Sequence, residues 1–407
     1  MRILYFSPRQ CWPRDTGAKL RDYYLASQLA AHCPVTYFGL RDPADASSEP
    51  PPAESGFAAY HSAARESKYT VSKLVRGLIG PTPLTVLNYS SAPVSRLLAE
   101  ILLAGSFDAV QIEGVHLSAY LPVIRSAASR PVILSDWHNI ESEILHRYSQ
   151  VNPSLMRRAY AWRTANLLEG AETRLLAACE VHTVTSERER ALLQVRNPAA
   201  EIHVIPNGVD VQYFRSQEMD PSAPRTNLLF AGSMDYSANV DAVVWFVNDI
   251  WPKLSRQHPA LSFTIVGRDP KPEVRSLAGD RVSVTGTVPD VRPYYSGALA
   301  AVVPLRIGSG TRLKILEAMA AGIPVISTRL GAEGLDLEDG THLLLADSAA
   351  EMIAVITRLA TSPELWLRLS RSAREVVSRS YDWRAITENL YRIHCDVVER
   401  ARPQRAF

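Results

Sequence analysis

The stretch from 304 to 328 reads Pro-Leu-Arg-Ile-Gly-Ser-Gly-Thr-Arg-Leu-Lys-Ile-Leu-Glu-Ala-Met-Ala-Ala-Gly-Ile-Pro-Val-Ile-Ser-Thr, and it constrains the fold more than any other. Leu299–Val303 just before it is a short apolar run ending at Pro304, the pattern of a buried parallel strand. Gly308-Ser309-Gly310 lets the backbone turn sharply and approach a guest closely. Thr311–Ala321 carries strong helix formers with an apolar face at Leu313, Leu316 and Ala320, and Gly322 stands where a C′ glycine belongs. Ile323–Ser327 is the next strand. Strand, glycine loop, helix and strand in this order predict a doubly wound α/β sheet.

The charges on this segment point to a ligand. Arg312 and Lys314 fall in the first turn of the helix, where the dipole prefers anions. Free amides and two cations beside a glycine loop make a site that lacks an anion, and phosphate fits it. The alternative is a solvated helix with a Lys314–Glu317 pair worth a few tenths of a kcal/mol.

The string Glu317-Ala-Met-Ala-Ala-Gly-Ile-Pro-Val resembles the donor-site signature of the family-4 glycosyltransferases of the GT-B fold. The resemblance implies two Rossmann-like, doubly wound parallel-sheet domains facing a central cleft. It implies that Glu317 holds the ribose hydroxyls of a nucleotide sugar. It also implies that the loop amides of Gly308, Ser309, Gly310 and Thr311, with Arg306 and Leu313 beside them, hold the diphosphate. Two departures stand out. A second Glu usual in the family, eight residues earlier, is here Ser309. The Arg and Lys usual after the first strand of the C-terminal domain are missing from Gly232-Ser233-Met234-Asp235-Tyr236-Ser237-Ala238. Arg312 and Lys314 are the expected replacements for that lost charge.

The bulk properties bound the alternatives. A chain of 407 residues exceeds one comfortable core and implies two domains. With 46% hydrophobic and 21% charged residues it has the composition of a globular protein, and a net charge of +2 supplies no drive toward nucleic acid. Cys11, Cys33, Cys179 and Cys395 are scattered without CxxC or His clusters, which speaks against a disulfide framework or zinc site. No metal site and no cofactor are expected beyond the donor substrate. Ile3–Phe6 is too short an apolar run for a signal peptide and no run approaches a membrane span, so a cytoplasmic location is expected.

In the first half, Arg2–Ser7 reads as a strand, and Gly17 precedes a helix from about Ala18 to His32. By the resemblance Gly17 approaches the donor phosphates, with Lys19 and Arg21 beside it; the alternative is a plain helix start. Val35–Leu40 is the second strand and Arg41–Ser55 a solvated loop. Lys68–Gly80 mixes cations with Tyr, Val, Leu and Ile. It has the composition of a membrane-surface segment, although its glycines favour a surface helix packed on the domain. Phe107–Glu113 runs into Gly114-Val115-His116, and Pro131–Asp136 into Trp137-His138. Both clusters follow strand carboxyl ends, where open parallel sheets bind ligands. Glu113, His116, Asp136 and His138 are therefore acceptor and sugar candidates. Glu141–Cys179 is a helical region broken near Pro153, with five arginines on it that read either as a solvated face or as a surface for acidic head groups or a phosphorylated acceptor.

Pro206-Asn-Gly-Val-Asp210, followed by Phe214, matches the family's interdomain turn. The expected domains are 1–205, an acceptor-binding domain; 206–382, a nucleotide-sugar domain; and 383–407, a helix crossing back to the first. In the second domain Gly232, Ser233, Gly267, Arg268, Gly286 and Val288 are further donor candidates at strand ends. The resemblance implies a retaining, metal-independent transfer to a glycan, lipid-linked or polysaccharide hydroxyl, as in cell-envelope polysaccharide synthesis, at the cytoplasm or the inner membrane face. Lys314, Arg312, His116, Glu113 and His138 are the catalytic candidates. A nucleotide-sugar epimerase or hydrolase, or a binding protein without transfer activity, are the rival readings.

Overall fold

The computed structural model describes the chain except residues 15, 43–49, 152–153, 216–224, 309–311 and 406–407. It divides into two compact units, Met1–Pro206 with Ile386–Phe407, and Asn207–Ala385.

The first unit holds seven parallel strands: β1 (Ile3–Ser7), β2 (Val35–Arg41), β3 (Ala59–Ala64), β4 (Ala109–Glu113), β5 (Val132–Trp137), β6 (Val181–Val184) and β7 (Ile202–Val204). Their order is β3-β2-β1-β4-β5-β6-β7. The chain runs outward on one side of β1 and returns to begin again at β4, so the switch point lies between these two strands. β1, β4 and β5 are buried along their whole length, as strands covered on both faces must be. Helix α1 (Gly17–Ala30) starts at Thr16, whose side chain accepts from the Lys19 amide. The strand β3 was not expected. Its sequence, Ala-Tyr-His-Ser-Ala-Ala, has no apolar alternation, and only its register with Thr36–Arg41 of β2 makes it a strand. In the C-terminal helix Trp383–Arg405, His394 bonds the side chain of Gln111 on β4 at 2.9 Å, and Tyr391 stacks on His32.

The second unit holds six parallel strands: β8 (Asn227–Ala231), β9 (Ser262–Val266), β10 (Val282–Val284), β11 (Ala298–Val303), β12 (Val325–Ser327) and β13 (Leu344–Leu345). The order β10-β9-β8-β11-β12-β13 puts its switch point between β8 and β11. The helical stretch after β8 is broken into Ser237–Trp245, one wider turn over Phe246–Ile250, and Trp251–Gln257. Pro252 cannot donate into the regular ladder, and the wider turn precedes it.

The helix Leu313–Ala320 ends as its sequence predicts. Gly322 has φ +75°, its amide bonds Met319 O at 2.9 Å, and the Ile323 amide bonds Ala318 O at 2.8 Å. A Cβ at Gly322 would lie 2.1 Å from Arg374 Nε, and Arg374 donates to Ala321 O. Gly322→Ala is expected to cost about 1–2 kcal/mol through the αL penalty and the displaced arginine, read as a lower urea midpoint.

Candidate functional site

In the first unit the carboxyl ends of β1, β4 and β5 carry a buried polar cluster. Trp137 ends β5, points inward and donates to His182 Nδ1, and His138, the next residue, turns to the cluster. His138 Nε2 lies 2.8 Å from Glu113 Oε2 and 3.0 Å from Asp22 Oδ1. Asp22 Oδ2 accepts from Ser7 Oγ at 2.7 Å and from Arg9 at 3.1 Å. Arg21 forms a two-pronged pair with Asp136 at 2.8 and 2.7 Å and also donates to Pro206 O. Thr183 on β6 donates to the same carboxylate at 2.5 Å.

These contacts set the protonation states. The Asp22 and Glu113 carboxylates outweigh the cost of burial and raise His138 to about 9, so it is an imidazolium at neutral pH. Arg21 holds Asp136 down to about 2 against the opposing effect of burial. Burial and the neighbouring Asp136 push Glu113 up to about 7, although the proton of the Glu113–His138 pair resides on the histidine. His116 sits apart, its ring edge-on to Tyr89 at 4.9 Å, and is lowered to about 3 by burial and by the Arg9 and His138 charges. Asp22, Glu113 and His138 present ligand atoms within 4.8 Å of one another. That set has the composition of a cation site. It already has cations of its own, because Arg9, Arg21 and His138 match Asp22, Glu113 and Asp136 in number and contact.

The placements sort the candidates. Glu113 is 1% exposed and holds the His138 ring at 2.8 Å, its other oxygen accepting from Gln111. Arg21, read as lying beside Gly17 toward phosphate, is fully buried in its pair with Asp136. Gly17 opens α1. Sequence reasoning missed Ser7, Arg9 and Asp22. Asp22 is the one with a signal, an acid on the same helix and next to Arg21, though nothing in one sequence says that it faces β4 and β5.

In the second unit the loops after β8, β9 and β11 come together at the switch point. Lys314 extends from its helix to the loop after β8. Its Nζ bonds Asn239 Oδ1 at 2.8 Å and lies 3.9 Å over the Phe230 ring. A Cβ on Gly232 would stand 2.6 Å from that Nζ, so the glycine is what admits the ammonium. Asn239 also donates to Ser233 O at 2.8 Å, and Arg268 Nε to Ser233 Oγ at 2.9 Å. Gly267 permits the close approach of β9, since a Cβ there would fall 1.6 Å from Gly232 O. Burial and the nearby Arg312 charge lower Lys314 to about 7. Arg312 is buried at the N-cap position of the helix without a side-chain capping bond, and its guanidinium lies against Gly308, which has φ +120°. Glu317 lies one turn on, accepts from Tyr295 at 3.3 Å, and is raised by burial.

Arg306 turns away into a two-pronged pair with Asp241, over the Trp245 ring. Leu313 and Val288 pack against the core. Gly286, with φ +73°, and Thr285 line a hollow of about 260 Å³ with Asp269 and Arg275. Ser309, Gly310 and Thr311 lie outside the described residues.

Comparison with known proteins agrees with this architecture. Residues 17–213 match the model of Glycosyltransferase Family 4, and residues 225–362 that of Glycosyl transferases group 1. Sucrose-phosphate synthase from Thermosynechococcus elongatus superposes with a TM-score of 0.69 at 19% identity, over 98% of this chain and 99% of that one. The Anabaena protein HepE in complex with UDP gives 0.64 at 16%, over 97% and 100%. A phosphatidyl-myo-inositol mannosyltransferase of Mycolicibacterium smegmatis is 31% identical over 199 residues, 47% of this chain and 50% of the relative. A glycogen synthase of Mycobacterium tuberculosis is 28% identical over 198 residues, 46% of each. These matches span about half the length of the curated relatives. The chain belongs to the family-4 glycosyltransferases of the GT-B fold.

The cluster in the first unit generates a pH signature. His138 is raised above its ordinary value near 6.5, so its stabilisation is complete below about pH 6.5 and lost as pH rises through about 9. Asp136 is depressed, so its contribution is complete above about pH 4 and lost toward about pH 2. Histidine NMR is expected to show one ring, His138, titrating near pH 9, shifted back toward the ordinary range in Asp22→Asn. Asp136→Asn leaves Arg21 buried without its counter-charge and is expected to cost about 3–5 kcal/mol, read as a lower melting temperature.

Proposed function

We propose that this glycosyltransferase moves a sugar from a nucleotide-diphosphate sugar to a hydroxyl acceptor, with retention and without a metal. The observation that carries the reading is Lys314, whose ammonium rests on a glycine backbone at the switch point and is held by a neutral amide oxygen rather than a carboxylate. A partly desolvated ammonium in that position favours an incoming anion, which would restore its charge. The family's two usual cations are absent from 232–238, and the charge comes here from the neighbouring helix.

Cleaving the sugar–diphosphate bond develops negative charge on the leaving phosphate. Lys314, the Arg312 guanidinium and the loop amides near 308–311 are the groups assigned to stabilise it, and Glu317 is assigned to the ribose hydroxyls. The hollow beside Gly286 is the place for the base, read chiefly by backbone. The sugar carbon passes through an oxocarbenium-like state. Neither histidine suits a general base at neutral pH: His138 is already protonated and His116, near 3, is too weak. This supports transfer of the acceptor proton to the departing phosphate oxygen. The named relatives act, by their titles, on a lipid and on a polysaccharide, two acceptors that share only a hydroxyl, and the acceptor proposed for this chain is a hydroxyl compound of either kind.

A thermal-shift panel of UDP, GDP, ADP, dTDP and CMP with their sugars tests the donor site, since a ligand at about 100 times its Kd adds roughly 2.7 kcal/mol. One nucleotide standing out supports the site; a flat panel removes it. Product analysis with donor alone separates transfer from hydrolysis or epimerisation, which would release free sugar or a new epimer. Lys314→Ala is expected to lower kcat/KM for the donor by about 10²–10³. In the native enzyme kcat/KM is expected to fall as pH rises through about 7, where free Lys314 loses its proton, and this limb should vanish in Lys314→Ala. Glu317→Ala is expected chiefly to raise KM for the donor.

A further inference from the structure

β4 carries a glutamine where a strand covered on both faces calls for an apolar residue. Val110 and Ile112 join the apolar core, and Gln111 and Glu113 share the opposite face by the two-residue period of a strand. Gln111 is buried, so its amide needs partners inside the protein. It has one at each end. Its Nε2 donates to Glu113 Oε1 at 2.9 Å, and its Oε1 lies 2.9 Å from Nε2 of His394 on the C-terminal helix. Glu113 Oε2 continues the line to His138 Nε2 at 2.8 Å. A buried chain of hydrogen bonds thus runs from the C-terminal helix, through β4, to the ring that follows β5.

Chemistry fixes the direction of each bond. Glu113 is the anion of its pair with His138, and a carboxylate only accepts, so Gln111 must turn its NH₂ group to it. The amide oxygen then faces His394, whose Nε2 must carry a hydrogen. His394 is fully buried, and its Nδ1 has no partner among the described residues. Burial holds this ring neutral, down to about 3, since an imidazolium would direct a second N–H at nothing that accepts it. A neutral ring of one tautomer orients the amide, and the amide favours the carboxylate. With the amide turned over, two oxygens would meet at Glu113, and the carboxyl would compete for the proton of His138. The amide itself carries no proton along, so the link acts through orientation and charge.

We propose that Gln111 and His394 are positioning residues for His138: they hold Glu113 as the anion that keeps this ring charged at the ligand edge of the sheet. The consequence for turnover rests on reading His138 as an acceptor or sugar contact; the link itself does not. Other groups act on the same ring. Asp22 on α1 and Asp136 on β5 favour its charge from 3.0 and 3.8 Å, and Arg9 opposes it from 3.5 Å. Glu141 and His116 complete its charged surroundings, and the Tyr5 phenol on β1, kept neutral by burial, faces Glu113. Asp22 stays in place when the link is cut, so cutting it lowers the hold on the proton without abolishing it.

The test is long-range nitrogen–proton NMR of the histidines in the full chain, which needs neither donor nor acceptor. From about pH 5 to about pH 9 His394 is expected to remain a neutral ring with its hydrogen on Nε2. In His394→Leu, His138 is expected to titrate about one pH unit lower, a roughly ten-fold weaker hold on its proton. His394→Gln can return an N–H to the amide oxygen and should restore most of the loss, even where both variants melt below the native chain. Gln111→Leu should lower His138 as His394→Leu does, and the double variant should go no lower, because both cut one link. The proposal is overturned if His394 carries its hydrogen on Nδ1 or titrates in this range, or if His138 is unchanged in His394→Leu. It also fails if His394→Gln lowers His138 as far as leucine does, which would leave the helix contact a packing contact alone. A flat nucleotide panel would remove the donor reading and leave this result standing.

Discussion

A charge taken out of water must be matched where it lies, and the pair between Arg21 and Asp136, both fully buried, is the contact on which the first unit depends. It joins α1 to β5, and through Thr183 and Pro206 it reaches β6 and the end of the unit. The rest of the cluster follows from the same demand. Asp22 and Glu113 are equally buried, and His138 and Arg9 are drawn onto them. The outcome is a polar floor at the carboxyl edge of the sheet, with His138 held as an imidazolium at neutral pH.

The second unit uses the same edge of its sheet differently. There the cation at the switch point is held by the neutral amide oxygen of Asn239. One edge is satisfied by its own residues; the other gains most when an anion arrives. The contrast is electrostatic rather than topological, since both sheets are parallel and both switch beside their first strand.

Much of this was legible in the sequence. The strands β8, β9, β11 and β12 are apolar runs of the right length with glycine or proline at their ends, and a parallel strand buried on both faces has no other way to be written. Gly322 announced its helix end because only a residue tolerant of φ +75° serves there. The reach of Lys314 was half legible: its charge stood out against the helix dipole, but its contact with Gly232 and Asn239 links positions about 80 apart in the chain. Asp22, Arg9 and Ser7 went unread for the same reason, as did β3, whose strand character comes from β2. The surface helix at Val71–Ile79 was legible, but not which of its faces packs: the contact of Gly77 with Leu84 decides that, and it leaves the apolar side out.

The sequence by itself determined the two α/β units, the parallel strands and the donor-site signature, because these rest on local periodicity, turn chemistry and a contiguous string of residues. Tertiary structure alone decided which carboxylate meets which cation, which proton state His138 and Lys314 hold, and which face of the helix Val71–Ile79 meets solvent. Those are set by burial and by partners from distant strands, and the cost of an unmatched charge is known only once the chain has closed around it.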